Sequence, residues 1–234
     1  RRRHTRLLTV TGVQTCALPI SALVMVERRA AQQQPTLEWS VGEALSDMLE
    51  GPAQALDNAL KLRRSEALSV TDDLTQLYNS RYLNQVLRRE AKRASRSGRP
   101  LSLLFLDLDG FKGINDTHGH QAGSCALVEA AAVIRRCARE TDVVARFGGD
   151  EFAIILPDTG SEGAAAVGDR VRERLSVHPF LEGNGLRIPL TASVGVATLP
   201  DVAASAEELV RAADMAMYQV KDSGKNGVRI AQAE

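Results

Sequence analysis

Apolar positions from residue 70 onward switch between two periods. Residues 101–108 (Leu-Ser-Leu-Leu-Phe-Leu-Asp-Leu) form a nearly continuous apolar run of strand length, the pattern of a buried central strand. Shorter runs rich in Val, Ile, Leu and Phe predict further strands at 143–147, 152–156, 190–198 and 227–231. Between them the spacing turns helical. Tyr82, Leu83, Val86, Leu87, Ala91 and Ala94 share one face, opened by Asn79 and closed by Gly98-Arg99-Pro100. Ala126, Leu127, Ala130, Ala131, Ile134 and Cys137 predict a second helix, residues 164–175 a third and 207–220 a fourth. Strands alternating with helices, plus one tight hairpin, predict a mixed α/β domain with a mainly antiparallel sheet flanked by helices. About 160 residues suffice for one core.

Upstream, Val41, Leu45, Met48, Leu49, Ala55, Leu56, Ala59, Leu60 and Leu62 form a helical stripe broken by Gly51-Pro52. It predicts a linker helix that brings two copies together. Residues 1–26 carry Arg1, Arg2, Arg3 and Arg6 before a mostly apolar stretch, the outline of a signal peptide or membrane anchor. Residues 10–20, however, read as the translation of a sequencing adapter. Residues 1–20 are therefore expected to be an artefact, and no targeting or membrane contact rests on them. Residues 21–70 are expected to be the remnant of a truncated upstream domain with its linker helix, and 71–234 the principal domain.

The chemistry concentrates in Arg146-Phe147-Gly148-Gly149-Asp150-Glu151-Phe152, between two strand-like runs. Adjacent glycines between such runs predict a hairpin tip. Two carboxylates straight after it repel one another and contribute little to folding. Gly148 and Gly149 leave the backbone bare for a close-approaching phosphate. Asp107 interrupts the central apolar strand, where a carboxylate is costly unless paired or bound to a metal. Magnesium takes one or two carboxylates with phosphate oxygens, so Asp107 and Asp150 predict a two-metal clamp. Asp109-Gly110 and Asn115-Asp116, taken alone, read equally well as turn residues.

The hairpin, as Gly148-Gly149-Asp150-Glu151-Phe152, resembles the signature of the GGDEF family, the diguanylate cyclases. Asp107-x-Asp109-x-Phe111-Lys112-x-x-Asn115-Asp116 is similar to that family's second motif, and Asp72-Asp73-Leu74-Thr75 to its Asp-x-Leu-Thr start. Where the family usually has Gly after that Thr, this chain has Gln76. Tyr218, Lys221 and Gly224-Lys225-Asn226 follow the late helix pattern, with Lys225 in place of Arg. The resemblance implies a palm-like fold shared with nucleotide cyclases, and condensation of two GTP into cyclic di-GMP by a homodimer. It implies two Mg²⁺ per active site, with Mn²⁺ as a substitute, held by Asp107, Asp150 and the Leu108 carbonyl. Glu151 would assist in metal binding or proton removal. Lys112, Lys221 and Lys225 would neutralise phosphates, and Asn115 would read the base. Arg139-Glu140-Thr141-Asp142 matches an Arg-x-x-Asp site through which cyclic di-GMP inhibits such enzymes from a distance. Lys221 and Lys225 read equally as cations complementing a helix C-terminus.

One departure stands out. Ser124 occupies the position where the family generally has an Asp that holds guanine. A carboxylate accepts from both N1–H and the exocyclic amine, whereas serine offers one neutral contact and can cap a following helix. Losing a charge-assisted hydrogen bond costs roughly 1.5–3 kcal/mol, so a weaker grip on GTP is expected.

Charge narrows the alternatives. Lys plus Arg equals Asp plus Glu at 29 each, which leaves no basic excess for a nucleic-acid backbone. Cys125 and Cys137 read as packing residues of a cytoplasmic domain, not as a disulfide. His120 reads as a structural hydrogen-bonding residue near the nucleotide loop. Two rivals remain: a catalytically weak module that binds GTP or cyclic di-GMP, and a cyclase acting on single nucleotides.

Overall fold

The computed structural model describes residues 69–232 together with 52 and 54–60. Residues 54–60 are helical, in agreement with the upstream stripe. The rest of that stripe, the 21–29 segment and the adapter-like stretch lie outside the described residues. Residues 1–59 and 60–234 form separate compact units.

In the second unit the chain runs β1 (Tyr78–Asn79), α1 (Ser80–Ser97), β2 (Leu101–Asp109), α2 (Phe111–Cys137), β3 (Val143–Gly148) and β4 (Glu151–Pro157). It continues through α3 (Ser161–Val177), a 3₁₀ turn (Glu182–Asn184), β5 (Thr191–Leu199), α4 (Ala206–Asp222) and β6 (Val228–Ile230). The six strands form one sheet in the order β1-β3-β4-β2-β5-β6. Pairs β2–β4, β2–β5 and β3–β4 are antiparallel, while the two edge pairs are parallel. The mixed, mainly antiparallel sheet flanked by helices is thus as the sequence pattern predicts.

Side-chain alternation along β2 divides the core in two. Leu101, Leu103 and Phe105 pack with Leu83, Val86 and Leu87 of α1 and Leu209, Ala213 and Met217 of α4. Leu104, Leu106 and Leu108 pack on the opposite face with Ala126, Ala130 and Ile134 of α2 and Val167 and Val171 of α3. The ends of α1 match their expected signals. Asn79 accepts from the Tyr82 amide, and Gly98 closes the helix at φ 69°.

The second helix differs from expectation. It begins at Phe111, directly after Gly110 at φ 77°, and so includes Asn115-Asp116, which are helical and not turn residues. Gly119, at φ 82° and ψ 164°, breaks it internally. Ser124 lies five residues beyond that break, inside the helix, and caps nothing. His120 is exposed, and no hydrogen bond from it occurs among the described residues, so it is not the structural bridge expected. Cys137 is buried and Cys125 half-buried, both as free thiols.

Two glycines place elements by lacking a Cβ. One at Gly195 on β5 would meet the backbone of Ala213 and Met217, so α4 rests directly on the strand. One at Gly123 would overlap the Asn115 side chain, which is packed against it. Gln76 has φ 59°, the left-handed conformation in which glycine costs least. Its side chain steadies that turn by donating to the Asp73 carbonyl at 2.8 Å.

Candidate active site

Three strand ends and one helix end converge on Asp107. It stands near the end of β2, directly opposite Glu151 of β4 on one side and Ser193 of β5 on the other. Its side chain emerges on the α1/α4 face, and the backbone contact at Gly195 lets α4 lie low enough to bring Lys221 over it. Lys221 Nζ sits 2.7 Å from Asp107 Oδ2. Lys221 therefore does more than complement a helix terminus: it is the counter-ion of the central carboxylate.

Burial pushes the Asp107 carboxyl above its ordinary pKa, against the Lys221 hydrogen bond and with help from the Asp150 charge. Burial likewise raises Glu151, reinforced by Asp107 and Asp150. Burial works to lower Lys221, but the Asp107 hydrogen bond and the surrounding negative charge outweigh it and leave the ammonium raised. One cation facing three carboxylates leaves the cluster net negative.

The hairpin carries the third carboxylate. Gly148 pairs with Glu151 across a two-residue turn, with a register shift between Arg146 and Gly148 and Gly149 at φ 47°. Glu151 belongs to the strand itself. The Asp150 carbonyl accepts from the Leu108 amide at 3.2 Å, which fastens the turn to β2.

Arg146 fixes the turn from the other side, a role the sequence reading did not assign. Its Nε and Nη2 donate to the Gly149 carbonyl at 3.0 and 2.8 Å. Its Nη1 reaches both carboxylate oxygens of Asp72 at 3.2 Å. Asp72 in turn accepts from the Thr75 amide and hydroxyl at 2.8 and 2.7 Å. Burial opposes that charge, but these bonds and Arg146 bring the Asp72 carboxyl below its ordinary pKa. The Asp-x-Leu-Thr resemblance marked Asp72; nothing local marked its partner 74 positions away.

Asp109 is also structural. It accepts from Ser193 Oγ at 2.7 Å, Thr191 Oγ1 at 2.8 Å and the Asn226 amide at 3.0 Å. It thereby holds the Gly224-Lys225-Asn226 loop, whose three residues all have positive φ. Lys225 and Lys112 are exposed, and neither side chain has a hydrogen-bonding partner among the described residues. Asn115 and Ser124 are both half-buried on α2. Arg139 is exposed, whereas Asp142 is buried with its Oδ2 accepting the Arg139 amide at 2.7 Å. Asp142 thus shapes the turn that presents Arg139. Arg170, which the sequence reading missed, reaches the Cys137 carbonyl at 2.7 Å and adds a cation near that turn.

Among the described residues, no three His, Cys, Asp or Glu side chains are already gathered as a metal site. The donor set suits magnesium nonetheless, because that ion takes one or two carboxylates and completes its shell with phosphate oxygens and water. Also among the described residues, no helix is long and apolar enough to cross a membrane.

Comparison with known proteins agrees with this geometry. The profile described as "Diguanylate cyclase, GGDEF domain" matches residues 69–227. Response regulator PleD of Caulobacter vibrioides is 40% identical over 168 residues, covering 71% of this chain and 37% of that protein. Probable diguanylate cyclase DgcC of Escherichia coli (strain K12) is 38% identical over 175 residues, covering 72% and 45%. The chain thus spans less than half the length of these curated relatives. Among solved structures, the GGDEF domain of PA1120 (TpbB or YfiN) from Pseudomonas aeruginosa has a TM-score of 0.67 at 36% identity, covering 69% of this chain and 94% of that one. The coiled coil and GGDEF domain of DgcB from Caulobacter crescentus, in complex with c-di-GMP, has a TM-score of 0.66 at 32% identity, covering 82% and 100%. With the sheet, the hairpin and these matches in agreement, the chain belongs to the diguanylate cyclase GGDEF domain family.

Proposed function

We propose that this chain is a diguanylate cyclase that joins two GTP into cyclic di-GMP and releases two pyrophosphates. The supporting observation is the register that sets Asp107 opposite Glu151, with Asp150 on the adjoining turn and Lys221 over the carboxylates. Asp107 and Asp150, with the Leu108 carbonyl, are the groups that would hold two Mg²⁺. When bound, these ions lower the pKa of a ribose 3′-hydroxyl and stabilise charge on the attacked α-phosphate. Glu151, directly opposite Asp107, would assist in metal binding or accept the hydroxyl proton. Lys112, Lys221 and Lys225 neutralise phosphate, and Gly148 and Gly149 leave room for it. Asn115 and Ser124 face the base. Each copy supplies one half-site, so turnover requires a homodimer.

Arg139, presented by Asp142, is the proposed contact for cyclic di-GMP acting as an inhibitor at a second site, with Arg170 supporting it. Incubating the chain with GTP and Mg²⁺ at high protein concentration should give cyclic di-GMP, and Asp150→Ala should abolish it. Absence of product from a folded chain that binds cyclic di-GMP would favour the alternative of a receptor module, for which the neutral Ser124 speaks.

A further inference from the structure

Two acids close the central strand, and they are fastened in opposite ways. Asp109 is saturated by fixed donors, the hydroxyls of Thr191 and Ser193 and the Asn226 amide. Asp107 is buried, and among the described residues its only side-chain partner is the Lys221 ammonium at 2.7 Å. Ser193 lies directly opposite Asp107 in the register but gives its hydroxyl to Asp109. Asp107 itself has no room to shift, because β2 is paired on both sides at that residue. Lys221 does. It is half-buried in the last turn of α4, at the end of a flexible four-carbon stem.

The proposed reaction asks Lys221 to neutralise phosphate, yet its charge is already committed to Asp107. It also asks Asp107 to hold a metal ion, yet a cation already sits on that carboxylate. An ammonium and a divalent ion crowded on one carboxylate repel each other, whichever of its two oxygens each takes. We infer that Lys221 is a resident cation that reserves Asp107: a nucleoside triphosphate draws the ammonium onto its phosphates, and only then is Asp107 open to Mg²⁺, so metal loads with substrate and not before. The inference rests on the reading of Asp107 as a metal-holding group and of Lys221 as a phosphate cation.

Both halves of the exchange follow from charge. A triphosphate offers Lys221 several anionic acceptors in place of one carboxylate oxygen. With the ammonium gone, Asp107 is a buried carboxylate without a counter-charge, directly opposite Glu151, and a divalent ion restores the balance. A charge-assisted hydrogen bond counts for roughly 10- to 150-fold in affinity, and that is the handicap of a metal ion arriving alone. Nucleotide and metal therefore bind with positive coupling, and linkage makes the coupling reciprocal.

The test uses the full chain at pH 8, where protons compete little with metal for carboxylates. Mn²⁺ alone is titrated in, with free Mn²⁺ read by electron paramagnetic resonance. In a separate series 3′-deoxy-GTP is titrated in the presence of EDTA, read by calorimetry. Lys221→Met should bind Mn²⁺ about tenfold or more tighter than wild type, and metal-free 3′-deoxy-GTP about tenfold or more weaker. A merely structural lysine would weaken both when replaced, and a lysine that serves phosphate alone would leave Mn²⁺ binding unchanged. Lys221→Gln fills similar space and still donates a hydrogen bond, so it should move both affinities in the same directions by less; it carries the test if the Met variant does not fold. Unchanged or weaker Mn²⁺ binding in a folded variant overturns the inference and leaves the cyclase reading standing. Wild-type chain that binds no 3′-deoxy-GTP even with Mg²⁺ present overturns both.

Discussion

Arg146 joins the carboxylate of Asp72 to the carbonyl of Gly149, so one guanidinium fixes the start of the domain to the turn of its hairpin. Both partners are largely buried, at 16% and 23% side-chain exposure, which places the pair well above an ordinary surface ion pair. Replacing Asp72 by Asn should cost about 1–2 kcal/mol at pH 7, read by urea denaturation. The pH dependence has a definite sign. The folded carboxyl is below its ordinary pKa, so its stabilisation is complete above the unfolded value of 3.8 and is lost as pH falls through the folded value. The difference between wild type and Asp72→Asn should accordingly shrink below pH 3.8. A gap that stays constant with pH would contradict this assignment.

Arg146→Lys keeps one positive charge but cannot reach Asp72 and Gly149 in two directions at once. Turnover should fall about tenfold or more while the fold persists, because a turn displaced by about 1 Å is enough to disturb reacting groups. Unchanged kcat would mean that the turn is held by its backbone alone.

Asp107 and Lys221 form the pair nearest the proposed chemistry. Asp107→Asn should reduce turnover by roughly 10²–10³-fold, as expected for loss of a group that positions several kcal/mol of charge stabilisation. Lys221→Met should lower both activity and stability, the latter by about 1–3 kcal/mol, since it leaves a nearly buried carboxylate without its cation. A double-mutant cycle on stability isolates the pair, and additivity would show that the two do not interact.

Two glycine substitutions should behave differently although both add a single carbon. At Gly195 the new Cβ meets backbone, which cannot move aside, so Gly195→Ala should cost about 1–3 kcal/mol and lift Lys221 away from Asp107. At Gly123 the obstacle is the Asn115 side chain, which can rotate away. Gly123→Ala should leave the melting temperature almost unchanged yet raise KM for GTP several-fold. The reverse ranking would show that α2, not α4, is the rigidly seated helix.

Arg139→Ala should raise the cyclic di-GMP concentration needed for half-inhibition by about tenfold, with initial rates preserved. Asp142→Asn should act chiefly on stability, because its carboxylate is engaged by the Arg139 amide.

Much of this was legible in the sequence because it is local. The apolar run at 101–108 can only be a buried strand, and Asp107 within it can only be costly or functional. Asn79 and Gly98 delimit α1 as residues of their types do. The rest depends on relations that no short window contains. Arg146 sits beside the hairpin in sequence, but its partner Asp72 is brought to it by the parallel pairing of β1 with β3. Gly195 reads as one small residue in a strand, and only the approach of α4 shows why a larger one is excluded. Asn115-Asp116 have turn-like composition, yet Gly110 starts a helix just ahead of them and packing of Phe111 and Ile114 retains it. Asp142 reads as an ordinary acid at a strand entry, and only the folded turn shows that it accepts the Arg139 amide.

The sheet ends on both sides in very little strand, two residues in β1 and three in β6. Such margins offer too few free amides and carbonyls to template another chain, which protects a six-stranded sheet from end-to-end polymerisation. In the proposed homodimer, edges this short leave side chains as the means of contact between copies. Under that proposal the encounter is reversible, and turnover lasts only while the two copies remain together.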